Sequence, residues 1–347
     1  MHSGYFVAIC KPLYTETLRT LIALFLLAVL AVGGWLAWML YAPLTPPAQT
    51  FVLLHSGYSS RRIAAELTKA GVIRSEFAFY LWHASHPKPL LKAGEYLFDG
   101  SATLPQVYQR IARGDIYFHV VTVPEGYTMF DIAKAIEEAG LGSAADFLQV
   151  VETQTQLISD LAPEATSLEG YLFPNTYQFT RTESLEEMAA AMVHQFRAVA
   201  QEIGLNSDIP RVVTMASIVE KETAAPEERP LVASVYYNRL AQNMALDADP
   251  SVIYGELQTG TYQGSLHHAD LAVNSPYNTY RFPGLPPGPI GNPGRSSLEA
   301  ALHPDNSKFL YFVSDGNGHH RFARSLEEHN RNVAAYRHSL GLRSGVR

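Results

Sequence analysis

The side chains best suited to catalysis are two glutamates near the end of one stretch, residues 211–223, whose apolar positions recur with helical spacing. On a wheel that advances about 100° per residue, Glu220 and Glu222 both fall within the apolar arc of this helix. A carboxylate among apolar neighbours loses hydration in its charged form, so its pKa should rise. A general acid needs a raised pKa to hold a proton near neutral pH, as in glycoside cleavage.

The same wheel limits what the two carboxyls can do together. Glu220 and Glu222 point about 160° apart, so they cannot flank one glycosidic bond as an acid and nucleophile pair. Lys221, Thr214 and Ser217 fall on the polar side of the helix. The pattern fits either one catalytic carboxyl or salt-bridged glutamates near a helix terminus, and it does not separate Glu220 from Glu222.

Other catalytic signatures are missing from the sequence. It contains no Gly-x-Ser-x-Gly elbow, no Walker loop and no Gly-x-Gly-x-x-Gly, so acyl transfer, nucleotide hydrolysis and dinucleotide chemistry lack their usual marks. Its histidine pairs, 267–268 and 319–320, are adjacent rather than four residues apart, and Cys10 is the single cysteine. We therefore expect no metal and no cofactor. Asp249 lies in a carboxylate-rich segment and is either a turn cap or a ligand contact.

Charge and length set the class of protein. With 347 residues, of which 47% are hydrophobic and 17% charged, the chain is long enough for two domains with cores of their own. A net charge of −7 argues against a nucleic-acid partner, since such proteins usually carry a basic excess.

An uncharged run precedes these domains. Residues 21–41 contain no charged side chain, and a helix of that length rises about 31 Å, roughly the hydrocarbon thickness of a bilayer. Trp35, Trp38 and Tyr41 cluster at its end, as in a headgroup belt, and Lys11 and Arg19 precede it. The pattern predicts a membrane helix over 20–42, residues 1–19 in the cytoplasm, a Pro-rich linker over 43–50 and the remainder outside. A cleaved signal peptide is the alternative, although its apolar run would be shorter.

A repeat follows the linker. Residues 57–71 align with residues 126–140 at a shift of 69, with six of fifteen positions identical, including Gly57 with Gly126 and Tyr58 with Tyr127. Each copy reads as a β-branched strand, a Gly-Tyr turn and an amphipathic helix that ends at a glycine. The two tyrosines either pack the turn or stack on a glycan.

The second half of the chain is largely helical. Ser184, Ser296 and Ser325 each have a glutamate three residues later, which is the spacing of a capping box and predicts three helix starts. Residues 282–294 hold four glycines and five prolines, which excludes a helix or a central strand. We favour a shaped loop that lines a pocket over a linker.

Five ordered strings carry a resemblance to a known family. They are residues 168–177 (LEGYLFPNTY), 216–223 (ASIVEKET), 249–255 (DPSVIYG), 275–280 (SPYNTY) and 284–290 (GLPPGPI). Together they resemble the endolytic murein transglycosylases of the YceG-like family. One departure is Ala248, where relatives often carry a polar residue before Asp-Pro.

The resemblance implies a fold and a location. It implies an α+β protein of the bacterial inner membrane with one transmembrane helix, a LysM-like membrane-proximal subdomain over 51–119, a periplasmic catalytic domain over 120–340 and a tail over 341–347. LysM-like units in related families bind glycans that contain GlcNAc. Cell-wall synthases are partners by resemblance only.

The resemblance also implies a mechanism. The family's catalytic glutamate, taken as the first of Glu-Lys-Glu-Thr, falls on Glu220, which would act as general acid and then base in forming 1,6-anhydro-MurNAc ends from peptidoglycan strands. The expected substrate contacts are Asp249, Tyr277, Asn278, Tyr171 and Asn175. A hydrolytic muramidase and a non-catalytic peptidoglycan scaffold are the alternatives.

Overall fold

The computed structural model describes residues 10–86 and 89–340, so the predictions for residues 1–9 and for the tail over 341–347 lie outside the described residues. The chain divides into two compact units. The first ends at Phe118 and also includes Thr180–Thr182, and the second holds the remainder. Helices and short antiparallel strand pairs occur in both units, which confirms the predicted mixed α+β class.

Helix α1 (Cys10–Tyr41) is the apolar helix that the sequence predicts, although it begins before the predicted residue 20. Its segment Glu16–Tyr41 is, within the described part of the chain, the one helix long and apolar enough to cross a membrane. The side chains of this segment are mostly exposed, and its last turn packs on the first unit through Leu36, Met39 and Leu40.

The segment after α1 is fastened to the first unit. The Arg74 guanidinium donates to the carbonyl oxygens of Ala42 at 2.5 Å and Pro43 at 2.7 Å. Leu44 and Ala102 exchange backbone hydrogen bonds of 2.9 and 3.0 Å. The first residues of the segment 43–50, predicted as a linker, are therefore hydrogen-bonded to the first unit.

The repeat predicted from the sequence is confirmed in its order of elements. The first copy consists of β1 (Thr50–Leu54), α2 (Ser60–Lys69), α3 (Glu76–Ser85) and β2 (Gly94–Phe98), and it is followed by α4 (Leu104–Arg113). The second consists of β3 (His119–Val123), α5 (Met129–Glu138), α6 (Ala144–Thr153) and β4 (Asn175–Phe179). In each copy the two strands pair antiparallel, Thr50 opposite Phe98 and His119 opposite Phe179. Gly57 and Gly126 adopt φ of +82° and +77°, which explains why the turn keeps a glycine.

The second unit continues as a helical domain around one core. Its elements are α7 (Leu185–Glu202), α8 (Ile209–Glu222), α9 (Arg229–Ala241), α10 (Asp249–Thr259), α11 (Arg295–Leu302), the hairpin of β5 (Tyr311–Ser314) and β6 (His320–Ala323), and α12 (Leu326–Ser339). The second repeat contributes its strands and helices to the same core, in which Met215, Ile218 and Val219 of α8 are fully buried. Helix α8 is thus a central helix of this unit.

Two of the three predicted caps are confirmed. Ser184 forms a full capping box with Glu187, and the Ser325 hydroxyl accepts from the Glu328 N–H at 3.2 Å. A helix does start near Ser296, but the cap predicted there is wrong, because the N-cap of α11 is Gly294, two residues earlier. The Gly294 N–H donates a hydrogen bond to the Glu220 carboxylate, which is described below.

Candidate functional site

The helix predicted to carry the two glutamates is present as α8, which begins with Pro210 in its first turn and ends before an extended Thr223. Its predicted polar side is wrong for two residues, since Thr214 and Ser217 are 5% and 1% exposed. Neighbouring elements surround the helix, and the buried hydroxyl of Ser217 donates to the Thr214 carbonyl at 2.7 Å and accepts from the Ile290 N–H at 3.0 Å. Two local hydrogen bonds thus allow a polar side chain to sit in the core.

The Glu220 carboxylate is fixed on both of its oxygens. Oε1 accepts from Arg229 Nη2 at 2.7 Å, and Oε2 accepts from the Gly294 N–H at 2.9 Å. The side chains of Glu220 and Arg229 are 5% and 7% exposed, and Arg229 also lies 3.5 Å from Glu125. Burial raises the pKa of Glu220, while Gly294 and Arg229 oppose the rise. This carboxyl is a partner in a buried ion pair.

The turn of the second repeat holds the end of α8 in place. Lys221 Nζ donates to the Gly126 carbonyl at 3.0 Å, and the Gly126 N–H donates to the Asn292 carbonyl at 2.8 Å. A Cβ at Gly126 would lie 3.3 Å from Cγ of Glu220, which is closer than most real contacts. The glycine therefore allows the turn to approach the helix end that carries both glutamates.

Glu222 lies in different surroundings. It lines a cavity of about 360 Å³ together with Asp249, Tyr236 and Tyr280. The pKa of Glu222 is raised to about 7, chiefly by burial; a hydrogen bond from Tyr236 opposes the rise, and the nearby charge of Asp249 adds to it. A carboxyl with this pKa exists in both protonation states near neutral pH, so it can give and take a proton there.

The structure separates the two glutamates as the wheel predicts. Glu220 forms an ion pair with Arg229, and Glu222 faces a cavity with an aromatic wall. Burial raises the pKa of both Glu220 and Glu222, in the direction that the wheel predicts. Their different neighbours supply the distinction that the wheel lacks.

Of the predicted substrate contacts, Asp249 lies in the same cavity as Glu222. It is the first residue of α10, it is exposed, and its Oδ1 accepts from the Tyr280 hydroxyl at 2.6 Å. The sequence reasoning did not single out Tyr280, although it belongs to the Ser275–Tyr280 string and lies three residues after Tyr277. Its contact with Asp249 joins two strings that are far apart in the chain.

The other predicted contacts lie elsewhere. Asn278 is fully buried, and its amide donates to the carbonyls of Leu271 and Val273 at 3.0 and 2.8 Å, which shapes its own loop. Asn175 is exposed at the start of β4, where its Oδ1 accepts from the Thr176 N–H at 2.8 Å.

Tyr277 and Tyr171 line a second cavity, of about 340 Å³. Its wall also contains Pro287, Gly288 and Pro289, which confirms the prediction that residues 282–294 form a loop lining a pocket. Tyr171 is 1% exposed and packs edge-on against Phe196 with ring centroids 5.0 Å apart, so most of its surface belongs to the core.

Sequence reasoning also missed a buried acid, Glu169, which is 2% exposed. Its carboxylate accepts from the Met129 N–H at 2.9 Å, from the Tyr254 hydroxyl at 3.0 Å and from Asn292 Nδ2 at 2.8 Å. Burial raises the pKa of Glu169 to about 7. It joins the second repeat, α10 and the Pro-rich loop, and it also lines the cavity that Tyr171 and Tyr277 border.

Within residues 10–86 and 89–340, no group of three or more His, Cys, Asp or Glu side chains is placed to hold an ion. The cavity beside Glu222 is lined by carboxyl and phenol groups, which suit proton transfer and the binding of a hydroxyl-rich ligand.

Comparison with known proteins gives consistent matches. The model of the YceG-like family matches residues 52–335. The endolytic murein transglycosylase of Bacillus subtilis (strain 168) is 35% identical over 331 residues, which cover 88% of this chain and 91% of that protein. The endolytic murein transglycosylase of Streptococcus pneumoniae is 29% identical, and the match covers 89% of this chain but 63% of that longer protein. A crystal structure of a yceG-like protein from Listeria monocytogenes matches with a TM-score of 0.55 and 34% identity, covering 82% of this chain and 98% of that one.

Proposed function

The chain belongs to the YceG-like family, and from this we propose that it is an endolytic murein transglycosylase that cuts within peptidoglycan strands. The observation that carries the proposal is the carboxyl group of Glu222, which lines a cavity together with Asp249, Tyr236 and Tyr280 and whose pKa is raised by burial. Aromatic faces and hydroxyl groups on the same wall suit a sugar, which presents apolar C–H faces and a polar rim.

Within this function, we assign the proton transfers to Glu222 and keep Glu220 as the alternative that the sequence resemblance favours. Both oxygens of Glu220 already accept hydrogen bonds, and its negative charge balances Arg229 in a buried pair. Protonating Glu220 would leave that guanidinium without its closest counter-charge, which is costly in a buried position. Among the described residues no ion pair is found for Glu222, although Arg239 lines the same cavity, and Glu222 faces the space in which a substrate could lie.

The proposed reaction needs one carboxyl group. Protonated Glu222 donates its proton to the oxygen of the β-1,4 bond between MurNAc and GlcNAc, and that bond breaks at C1 of MurNAc. The resulting carboxylate then takes the proton of the MurNAc C6 hydroxyl as its oxygen forms the new bond to C1. The acid is regenerated, GlcNAc leaves with a free C4 hydroxyl, and MurNAc ends as a 1,6-anhydro ring.

Asp249 gives the hydrolytic alternative a specific basis. Retaining and inverting glycosidases need a second carboxyl group near the first, and Asp249 lies on the same cavity wall as Glu222. In a muramidase, Asp249 would act as nucleophile or as the base that activates water. In the proposed transglycosylase it sets the charge near Glu222 and binds Tyr280.

Product analysis distinguishes these functions. The full chain, purified in detergent, is incubated with glycan strands, and the products are identified by mass spectrometry. The proposal predicts 1,6-anhydro-MurNAc ends. Reducing-end MurNAc alone would indicate a muramidase, and binding of strands without any product on long incubation would indicate a scaffold.

We further propose that α1 anchors the protein in the bacterial inner membrane, with its N-terminus in the cytoplasm and the catalytic unit in the periplasm. The uncharged segment within Glu16–Tyr41 and the basic residues that precede it support this topology. Protease added to intact spheroplasts should then digest both units, whereas a cytoplasmic catalytic unit would be protected. An association with cell-wall synthases rests on the family resemblance alone.

The first repeat is a candidate for a further glycan contact, as its LysM-like resemblance suggests. Its Gly57-Tyr58 turn lines a cavity of about 360 Å³ with His55 and Lys92. In the second repeat, the corresponding Gly126 turn bonds to Asn292 and Lys221 of its own unit. The Gly57 turn thus borders a cavity, whereas the Gly126 turn is hydrogen-bonded to the end of α8 and to the Pro-rich loop.

A further inference from the structure

Helix α3 in the first unit has an unusual outer face. From Phe77 to Ser85 the helix carries no Asp, Glu, Lys or Arg, although one side of it is exposed. Phe77 and Leu81, one helical turn apart, are 61% and 38% exposed, while Ala78 and Phe79 face the core. A surface helix normally presents charged or polar residues to water.

The other helices of the same unit supply the comparison. Helix α2 reads SRRIAAELTK and α4 reads LPQVYQRIAR, and both place arginines or other polar residues outside and Ile63, Leu67 or Ile111 inside. The apolar outer face of α3 is therefore a local property and not a general feature of this unit.

Helix α3 lies beside the end of the proposed membrane anchor. The rings of Tyr41 on α1 and Trp82 on α3 meet edge-on, with centroids 6.1 Å apart. Just before α3, Arg74 holds the carbonyls that follow α1, and its guanidinium lies 4.9 Å from the centre of the Trp38 ring. These contacts fix α3 against the turn of α1 in which the aromatic residues cluster.

The length of α1 places this junction at the membrane surface. The uncharged residues 21–41 rise about 31 Å, close to the hydrocarbon thickness of about 30 Å, so a bilayer that covers them ends near Tyr41. The last turn of α1 therefore lies at the boundary with the headgroup zone, where Trp and Tyr side chains are favoured. Because Leu36, Met39 and Leu40 pack on the first unit, that unit begins within the headgroup zone too.

We infer that the outer face of α3, formed by Phe77 and Leu81, is a second membrane contact that lies in the headgroup zone of the bilayer from which α1 emerges. The occupant is the lipid surface, since the apolar face is continuous with the anchor and carries no charge that would select a protein partner. This inference rests on the anchor proposed above. Two contacts, one spanning and one flat, would fix the tilt of the first unit on the membrane.

Site-specific fluorescence tests the inference. Cys10 is the single cysteine, so Cys10→Ser gives a background for single-cysteine variants labelled with the fluorophore NBD. Phe77→Cys probes α3, Leu27→Cys probes the anchor, and Gln109→Cys probes an exposed polar position on α4 of the same unit. Each full-length variant is reconstituted into phosphatidylcholine–phosphatidylglycerol vesicles with and without a spin-labelled lipid quencher.

The expected result is blue-shifted emission and lipid quenching at positions 27 and 77, with neither at position 109. Leu81→Cys should repeat the behaviour of position 77, because it lies on the same face. If the label at position 27 is quenched but the label at position 77 shows neither a blue shift nor quenching, as expected at position 109, the α3 contact is overturned and the anchor stands. A blue shift at 77 without lipid quenching would show burial against protein and would also overturn it. An unquenched label at 27 would overturn the anchor and the inference together.

Discussion

The assignment of the proton transfers to Glu222 predicts a specific dependence of activity on pH. The acid must be protonated when the glycosidic bond breaks, so kcat/KM should fall as pH rises through the pKa of this carboxyl. With a pKa of about 7, roughly half of the Glu222 side chains carry the proton at pH 7. A carboxyl with a pKa of 4.5 would be about 0.3% protonated there, so burial enriches the reactive form by about two orders of magnitude.

The neighbours of Glu222 allow this limb of the profile to be moved in both directions. Asp249→Asn removes a negative charge that raises the pKa of Glu222, so the alkaline limb should move to lower pH. Tyr236→Phe removes a hydrogen bond that lowers the pKa, so the limb should move to higher pH. A purely structural role for either residue would change the height of the profile without moving it in these opposite senses.

Two glutamine variants complete the test. Glu222→Gln should lower kcat by about 10²–10⁴-fold, because it keeps the shape and removes the transferable proton. Glu220→Gln should destabilise the fold by about 3–5 kcal/mol, since it leaves Arg229 paired only with the more distant Glu125, yet the folded fraction should still react.

The assay measures the release of anhydro-MurNAc ends from glycan strands by mass spectrometry across pH 4–9, with circular dichroism to correct for the folded fraction. An active Glu222→Gln together with a folded but inactive Glu220→Gln would refute the reasoning and return the role to Glu220. An alkaline limb near pH 4–5 in the unmodified protein would refute the raised pKa.

Three further predictions concern stability. At pH 8, Glu222→Gln should raise the free energy of unfolding, measured in denaturant, by about 1–3 kcal/mol, because a carboxyl whose pKa is raised on folding costs stability above that pKa. The gain should shrink as pH falls from 7 toward 4.5. No gain at pH 8 would indicate that the carboxyl is well solvated. Glu169→Ala should lower the free energy of unfolding in urea by about 3–5 kcal/mol, because it leaves three buried donors unpaired. As a control, Glu164→Ala at an exposed position should change it by less than about 0.5 kcal/mol. Equal effects would contradict a structural role for Glu169. Gly170→Ala should lower Tm by more than Gly204→Ala. Both glycines have positive φ, but only a Cβ at Gly170 would clash with the Pro289 side chain, so similar shifts in Tm would argue against that contact.

Local patterns predicted the elements of this fold well. The shift of 69 between the two Gly-Tyr turns led directly to two copies with the same order of strands and helices, because each glycine is required by a positive φ and each helix by its apolar spacing. The same reasoning found α8 and the cap at Ser184. It failed at Ser296, since the Gly294 N–H that would begin that helix is bound to the distant Glu220.

The candidate site could not be predicted in the same way, because it is formed by contacts between segments that are far apart in the sequence. A helical wheel gives the direction of Glu220 and Glu222 but not what lies there, so an ion pair with Arg229 and a cavity shared with Asp249 look alike from the sequence. The wheel also assumed that one side of α8 faces water. In the structure other elements of the unit pack around the helix, and the buried Ser217 hydroxyl accepts a hydrogen bond from the Ile290 N–H of the Pro-rich loop.

The two Gly-Tyr turns have separate consequences for how the sequence is free to change. The turn at Gly126 is bonded to the end of α8, so an alteration there is transmitted to the helix that carries both glutamates. The turn at Gly57 borders a cavity, and a Cβ at that glycine would meet no atom within 4 Å. The turn of the second copy is thus tied to the helix that carries Glu220 and Glu222. In the first copy the positive φ of Gly57 still favours glycine, so the freedom to change lies with the side chains that line the cavity beside it, such as His55 and Lys92.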